Sequence, residues 1–221
     1  MQIKMASTKA GAIDLTSAVP VSMVDYVLPG SQRIAAEWQY GASLIQYWEG
    51  DPSIRYFSYL FYDNDALCIS EDTYCRPFLQ FVLQNEFYGR WAGLGYRYDP
   101  QWSCNMLTLP HFEYTLEGSE EKFYSKVEIY FSFSLLSSLS SISPLLQGLL
   151  AAAEKDLPSI LFEHSRPVPP IILAGIGDLL QTSLPDDIRN AYMGDKSIRI
   201  LMDTMRFFQR SPKYMNHGKE H

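Results

Sequence analysis

The sequence is short of positive charge. Eighteen lysines and arginines stand against 25 aspartates and glutamates, a formal net charge of -7. That sign is opposite to what phosphate neutralisation requires, so direct nucleic-acid contact by this chain is not expected. Histidine is scarce as well. Of the 4 present, His217 and His221 fall in the C-terminal tail, while His111 and His164 stand apart, without the His-x-His spacing that brings two imidazoles off one strand. No metal and no cofactor are expected, and His111, following Pro110, reads as a surface loop residue. The 3 cysteines, Cys68, Cys75 and Cys104, are an odd count without metal-site spacing; they read as thiols in a reducing compartment rather than a disulfide framework. No stretch approaches the roughly 18 apolar residues of a membrane span, and the longest, Leu145 to Ala153, is interrupted by Gln147. Met1 to Leu15 lacks the apolar core of a secretion signal, so a soluble cytoplasmic protein is expected.

Catalytic patterns are equally thin. None of the cysteines has a histidine nearby in sequence, and buried structural thiols are the expectation. Glu120-Glu121 beside Gly118-Ser119 reads as a solvated hairpin turn rather than an acid/base dyad. Gly93-Leu94-Gly95 is too short for a phosphate loop and reads as a turn. The expectation is a protein that is not an enzyme.

What the chain holds in quantity is apolar mass, 47% hydrophobic and 14% aromatic residues, enough for one sizeable core with a helical appendage. From Ile34 to about Phe131, aromatic and β-branched residues broken by Gly, Pro and Asp-Asn signals predict roughly seven or eight strands. In Lys122–Phe131, the residues Phe123, Val127, Ile129 and Phe131 alternate with Lys122, Tyr124, Lys126, Glu128 and Tyr130, which predicts one buried face and one at least partly wet. In Phe78–Gln84, Leu79, Phe81 and Leu83 oppose Gln80, Val82 and Gln84. Ile54–Tyr62 carries large apolar groups on both faces, as for a strand covered on both sides. Asp63-Asn64-Asp65 supplies a turn.

Beyond Phe131 the period changes. Ser132 is placed to cap a short helix with Leu135, Leu136 and Leu139, and Ser143-Pro144 starts another with Leu145, Leu146, Leu149 and Leu150. Ser159–Glu163 fits a last strand, and Arg166–Pro170 a semi-rigid proline-rich linker. Two helices follow, joined at Thr182-Ser183-Leu184: one with Ile172, Ile176, Leu179 and Leu180 on a face, one with Ile188, Tyr192, Ile198, Leu201, Met202, Met205 and Phe208. The fold class is mainly β with C-terminal helices, a cupin-like jelly-roll barrel followed by an αα-hairpin. The expected divisions are an N-terminal arm (1–33), the barrel with its short helices (34–165), the hairpin (166–212) and a tail (213–221).

The aromatic load directs attention to binding. Trp38, Phe57, Tyr59, Phe61 and Phe81 are the candidate lining of a small-molecule pocket, with ordinary core packing as the alternative. Ile198, Met202 and Met205 are the candidate seam of a homodimer, with packing on the barrel as the alternative.

The order of elements, and the wording Ile129-Tyr130-Phe131-Ser132 before Leu135-Leu136, resembles the N-terminal effector domain of AraC-type transcription regulators. The last helix is similar to that family's R-x-L-Y-L-E-x-K-x-L-E-L-L helix at Arg189, Tyr192, Lys196, Ile198 and Leu201; Gly194 and Arg199 depart from it. The resemblance covers roughly Tyr40 to Phe208, over a chain of 221 residues. It implies a ligand-sensing and dimerisation domain, cytoplasmic and without a membrane partner, binding an unidentified effector. The helix-turn-helix readers of that family are expected outside this chain. The opposing expectation is a metal-independent cupin-like enzyme, an isomerase or epimerase, drawing on Glu113, Glu128 and Tyr130. A third is an interaction protein whose barrel is filled by its own side chains.

Overall fold

The computed structural model describes residues 3–71, 76–141 and 143–210; Cys75, His217, His221 and the tail from 213 lie outside them. The strands are β1 (Ile3–Ser7), β2 (Gly11–Ile13), β3 (Gln32–Trp38), β4 (Gly41–Trp48), β5 (Ser53–Phe61), β6 (Asp65–Glu71) and β7 (Phe78–Gln84). They continue with β8 (Phe87–Trp91), β9 (Gly95–Asp99), β10 (Ser103–Thr108), β11 (Phe112–Gly118), β12 (Phe123–Tyr130), β13 (Ser159–Ile160) and β14 (Arg166–Pro167). The helices are α1 (Phe133–Leu139), α2 (Leu145–Ala153), α3 (Pro170–Leu180) and α4 (Asp186–Arg210), with a 3-10 turn at Val21–Tyr26.

Strand pairing is antiparallel and nested. The strand β5 pairs with β12, β6 with β11, β7 with β10 and β8 with β9, so that one long hairpin is rolled up from its tip. Contacts between its arms, β12 with β7 and β11 with β8, close two sheets. This is the jelly roll. The smaller sheet runs β2-β1-β6-β11-β8-β9 and the larger β13-β10-β7-β12-β5-β4-β3, with β14 also on β10. The expected arm is therefore partly sheet: β1 extends the smaller sheet beside β6. Ten strands, β3 to β12, occupy the span for which seven or eight were expected. The short hairpin of β8 and β9, closing through Gly93 at φ 78°, accounts for part of the difference.

Alternation places side chains in two principal cores. Phe57, Tyr59, Phe61, Phe78, Val82, Tyr124 and Tyr130 meet Leu67, Ile69, Phe87, Trp91, Phe112, Tyr114 and Leu116 between the sheets. Residues one step along, Ile54, Leu79, Phe81, Cys104, Met106, Val127 and Ile129, lie on the other face of the larger sheet under the helices. The two-sided character expected of β5 follows directly. The wet face expected of β12 does not exist: Tyr124, Lys126, Glu128 and Tyr130 are buried between the sheets, because the helices claim Val127 and Ile129 and the smaller sheet covers the rest.

Ser132 caps α1, its Oγ accepting from the Leu135 amide at 3.2 Å. The strand β13 returns to β10, as Ser159–Glu163 suggested. The proline-rich stretch is not a free spacer, since Arg166 and Pro167 register with Cys104 and Ser103 of β10. The hairpin of α3 and α4 completes the helical core through Ile172, Ile176, Leu179, Leu180, Met193, Ile200, Leu201, Met205 and Phe208. Arg189 fastens the start of α4 to the loop before β3, donating to the carbonyls of Gly30 at 3.3 Å and Leu184 at 2.6 Å. Gly30 has a φ of 63°, strained for any other residue, and a Cβ there would stand 1.8 Å from Arg189 Nη1 and displace that guanidinium.

Candidate functional site

Charged groups are rare in protein interiors unless they are paired, and this interior holds a cluster of them. Lys126 and Glu128, two residues apart on β12, project to the same side and are both fully buried. The Lys126 ammonium donates to Glu128 Oε1 at 2.6 Å. Its other protons face rings: Nζ lies 3.7 Å from the centroid of Tyr114, 4.7 Å from Trp91 and 4.8 Å from Phe57. Cation–π attraction of this kind partly replaces lost hydration. Burial still dominates, pushing the Lys126 pKa below its ordinary value against the pull of Glu128.

Tyr130 donates its hydroxyl to the other oxygen of Glu128 and is stacked on Phe78. On the neighbouring strand β5, the Arg55 guanidinium lies 4.3 Å from the Tyr130 ring and is forked onto both oxygens of Glu71 at the end of β6. Burial works against the charge on Arg55, but Tyr130 and Glu71 together hold its pKa above the usual value. Across the same space the hydroxyls of Tyr59 and Tyr114 bond to each other, and burial pushes both phenols well up. Two ion pairs, Lys126–Glu128 and Arg55–Glu71, are thus linked through Tyr130 across both sheets. A cleft of about 80 Å³ lined by Tyr47, Trp48, Glu49, Ser53, Ile54 and Arg55 opens at the Arg55 end.

A second polar group lies toward β9 and β10. Asp99 accepts from Ser165 Oγ at 2.5 Å and Gln80 Nε2 at 3.3 Å, with Arg97 Nη2 at 3.5 Å. Gln80 reaches it from the opposite sheet, and it adds to the charge field at Lys126.

Of the expected lining residues, Phe57 and Tyr59 border the Lys126 cluster. Trp38 and Phe61 are in the same core but at another end, Trp38 donating Nε1 to Asp65 at 3.1 Å and meeting Phe61 edge-on at 6.1 Å. Phe81 is misplaced by that expectation: it faces the helices, because Phe78, Gln80 and Val82 take the inner side of β7. Glu128 and Tyr130 do come together, whereas Glu113 points outward beside His111, at 3.8 Å, and takes no part. Arg55, Glu71, Gln80, Arg97, Asp99 and Lys126 were not singled out by sequence. No sequence signal separated Lys126 and Glu128 from a solvated strand face, because the side of β12 that the helices cover is set by strand registration.

The expected seam divides in two. Met205 is 1% exposed and belongs to the helical core, while Ile198 and Met202 are half-buried. A groove of about 430 Å³ lies on the other flank of α4, lined by Ile171, Ile172, Asp203, Arg206, Phe207 and Arg210 among others. Burial also pushes up the Cys104 thiol, in keeping with a structural role. Among the described residues no three His, Cys, Asp or Glu side chains converge as a metal site, and no helix is long and apolar enough to cross a membrane.

No family model and no curated protein sequence matches the chain. Among solved structures it is similar to the AraC-like transcriptional activator CuxR, at 10% identity and a TM-score of 0.41, over 89% of this chain and 59% of that one.

Proposed function

We propose that this chain is the ligand-sensing and dimerisation part of an AraC-type transcription regulator, with a small molecule received between the two sheets of the jelly roll. The observation that carries the binding reading is the Lys126–Glu128–Tyr130–Arg55–Glu71 cluster, sealed among aromatic rings. Two buried ion pairs bring little net stability to a core, since the desolvation they require offsets their attraction. Such groups are characteristic of binding and catalytic sites. The regulator reading is supported by the order of elements, jelly roll, two short helices, proline-rich connection and αα-hairpin, which is the order the sequence resemblance implied. The signal would be transmitted by linkage: a ligand preferring one arrangement of sheet and hairpin shifts that equilibrium by its differential affinity.

The test is a melting screen of the purified chain against sugars, organic acids, amines and nucleosides, followed by light scattering with each ligand found. A binder that raises Tm with concentration and alters the association of the chain is expected. A screen in which no class raises Tm contradicts the reading.

One observation favours a second reading. Glu128 is shared between Lys126 and Tyr130, so a carboxylate, an amine and a phenol stand within reach of one another, the components of an isomerase or epimerase working by proton transfer. Deuterium from heavy water incorporated into a bound ligand would establish turnover; a ligand recovered unlabelled supports binding alone.

A further inference from the structure

The polar groups near Asp99 differ in how completely they are satisfied. Asn105 Nδ2 donates to Phe162 O at 2.8 Å, its Oδ1 accepts from the Met106 and Phe162 amides, and Ser103 Oγ donates to Pro100 O. In contrast, Gln80 Oε1 and Arg97 Nε have no hydrogen-bond partner among the described residues. Gln80 is 1% exposed and lies between the sheets, its amide nitrogen already reaching Asp99. Unmatched buried polar atoms are few in native proteins, and each asks for an occupant. The pair of unmatched hydroxyls at Ser58 and Ser125 is a separate matter, since both lie on the other side of the larger sheet.

The unfilled capacities specify a complement. Arg97 Nε, and the Lys126 protons that face only rings, call for an acceptor; Gln80 Oε1 calls for a donor. The surroundings narrow it further. Asp99 and Glu128 border the same space and disfavour a dianion such as phosphate. Trp91, Phe57, Phe87 and Tyr114 surround the Lys126 ammonium, an aromatic environment suited to a ligand that itself carries a ring.

We propose that this end of the inter-sheet space recognises a small aromatic hydroxy acid, its carboxylate directed to Arg97 and Lys126, its hydroxyl donating to Gln80 Oε1 and its ring against Trp91 and Phe87. The proposal rests on the inter-sheet space being the binding site and adds the class of ligand.

Calorimetric titration of the whole chain with three probes tests it. Mandelate carries carboxylate, hydroxyl and ring; phenylacetate lacks the hydroxyl; 1-phenyl-1,2-ethanediol lacks the carboxylate. Mandelate is expected to bind at least about tenfold more tightly than either, because a site built to bond a hydroxyl leaves its own buried group unpaired when that hydroxyl is missing. In Gln80→Leu the preference for mandelate over phenylacetate is expected to vanish, the ratio of the two affinities falling to about one. Equal binding of mandelate and phenylacetate overturns the hydroxyl assignment in the wild-type chain alone, whether or not the variant folds. Neutral diols or sugars that bind where mandelate does not overturn the acid class and leave the site standing. If neither acids nor neutral compounds bind at millimolar concentration, both fall.

Discussion

At the scale of single residues, Lys126 is the most exacting position in the molecule. Its ammonium has one carboxylate and five rings for company and no contact with solvent. Lys126→Met keeps the length of the side chain but leaves Glu128 buried and charged beside Tyr130. A loss of about 3–5 kcal/mol in urea unfolding is expected, the usual cost of orphaning one partner of a buried pair. Asp65 behaves differently. Burial pushes its carboxyl up, but hydrogen bonds from Ser7, Thr8, Trp38 and the Ala66 amide together hold its pKa below the ordinary value. A carboxylate with a depressed folded pKa contributes stability that is present above the unfolded value, about 4, and is lost as the pH falls through the folded one. The wild-type chain is therefore expected to exceed Asp65→Asn in stability at pH 7, with the gap narrowing below about pH 4. Urea midpoints of both proteins across that range check it; a gap independent of pH would show that Asp65 acts by shape alone.

At the scale of elements, the alternation of β12 was legible from Lys122 to Phe131, and so were the two-sided burial of β5, the Ser132 cap and the αα-hairpin. The direction of β12 was not. A Lys and a Glu on one face of a strand look solvated, and only the registration of β12 between β5 and β7, with a second sheet above, shows that both faces are covered. Phe81 was misassigned for a related reason: an aromatic residue states that it is buried but not in which of two cores. Gln80 and Arg97 were illegible, because their significance lies in what they fail to contact. The α4 residues singled out in the sequence make contacts that spacing alone did not supply. Arg189 holds Gly30, Lys196 bridges to Asp178 of α3 at 3.0 Å, and Leu201 lies in the helical core.

The closeness of strands also gives an element-level prediction. A Cβ at Gly89 would stand 1.8 Å from the carbonyl oxygen of Thr115 on the paired strand β11. Gly89→Ala must push β8 away from β11, and overpacking of this order costs about 1–3 kcal/mol. Thermal unfolding checks it, and an unchanged Tm would mean that the two strands separate without cost.

At the scale of the whole molecule, the jelly roll brings charged groups and rings together between its sheets and the helical hairpin presents a surface, and the proposed function needs both. On α4 the buried stripe is used within the chain, so the proposed self-association would fall to residues outside it, Ile198 and Met202 on one flank. Met202→Glu is expected to convert a dimer into a monomer by light scattering while circular dichroism stays unchanged. A mass identical to that of the wild-type chain removes Met202 from the seam.

The central claim is that the ion cluster is kept for binding rather than for stability. Replacing the innermost pair together with the hydroxyl bonded to it, Lys126→Met, Glu128→Leu and Tyr130→Phe, separates the two roles, because buried charged groups exchanged for apolar groups of similar volume are often neutral or stabilising by about 1–4 kcal/mol. The measurement is urea unfolding of the triple variant alongside titration with whatever ligand raises the Tm of the wild-type chain. A folded protein at least as stable as wild type that no longer binds is expected. A triple variant that unfolds, or one that binds as before, would show that the cluster serves stability instead.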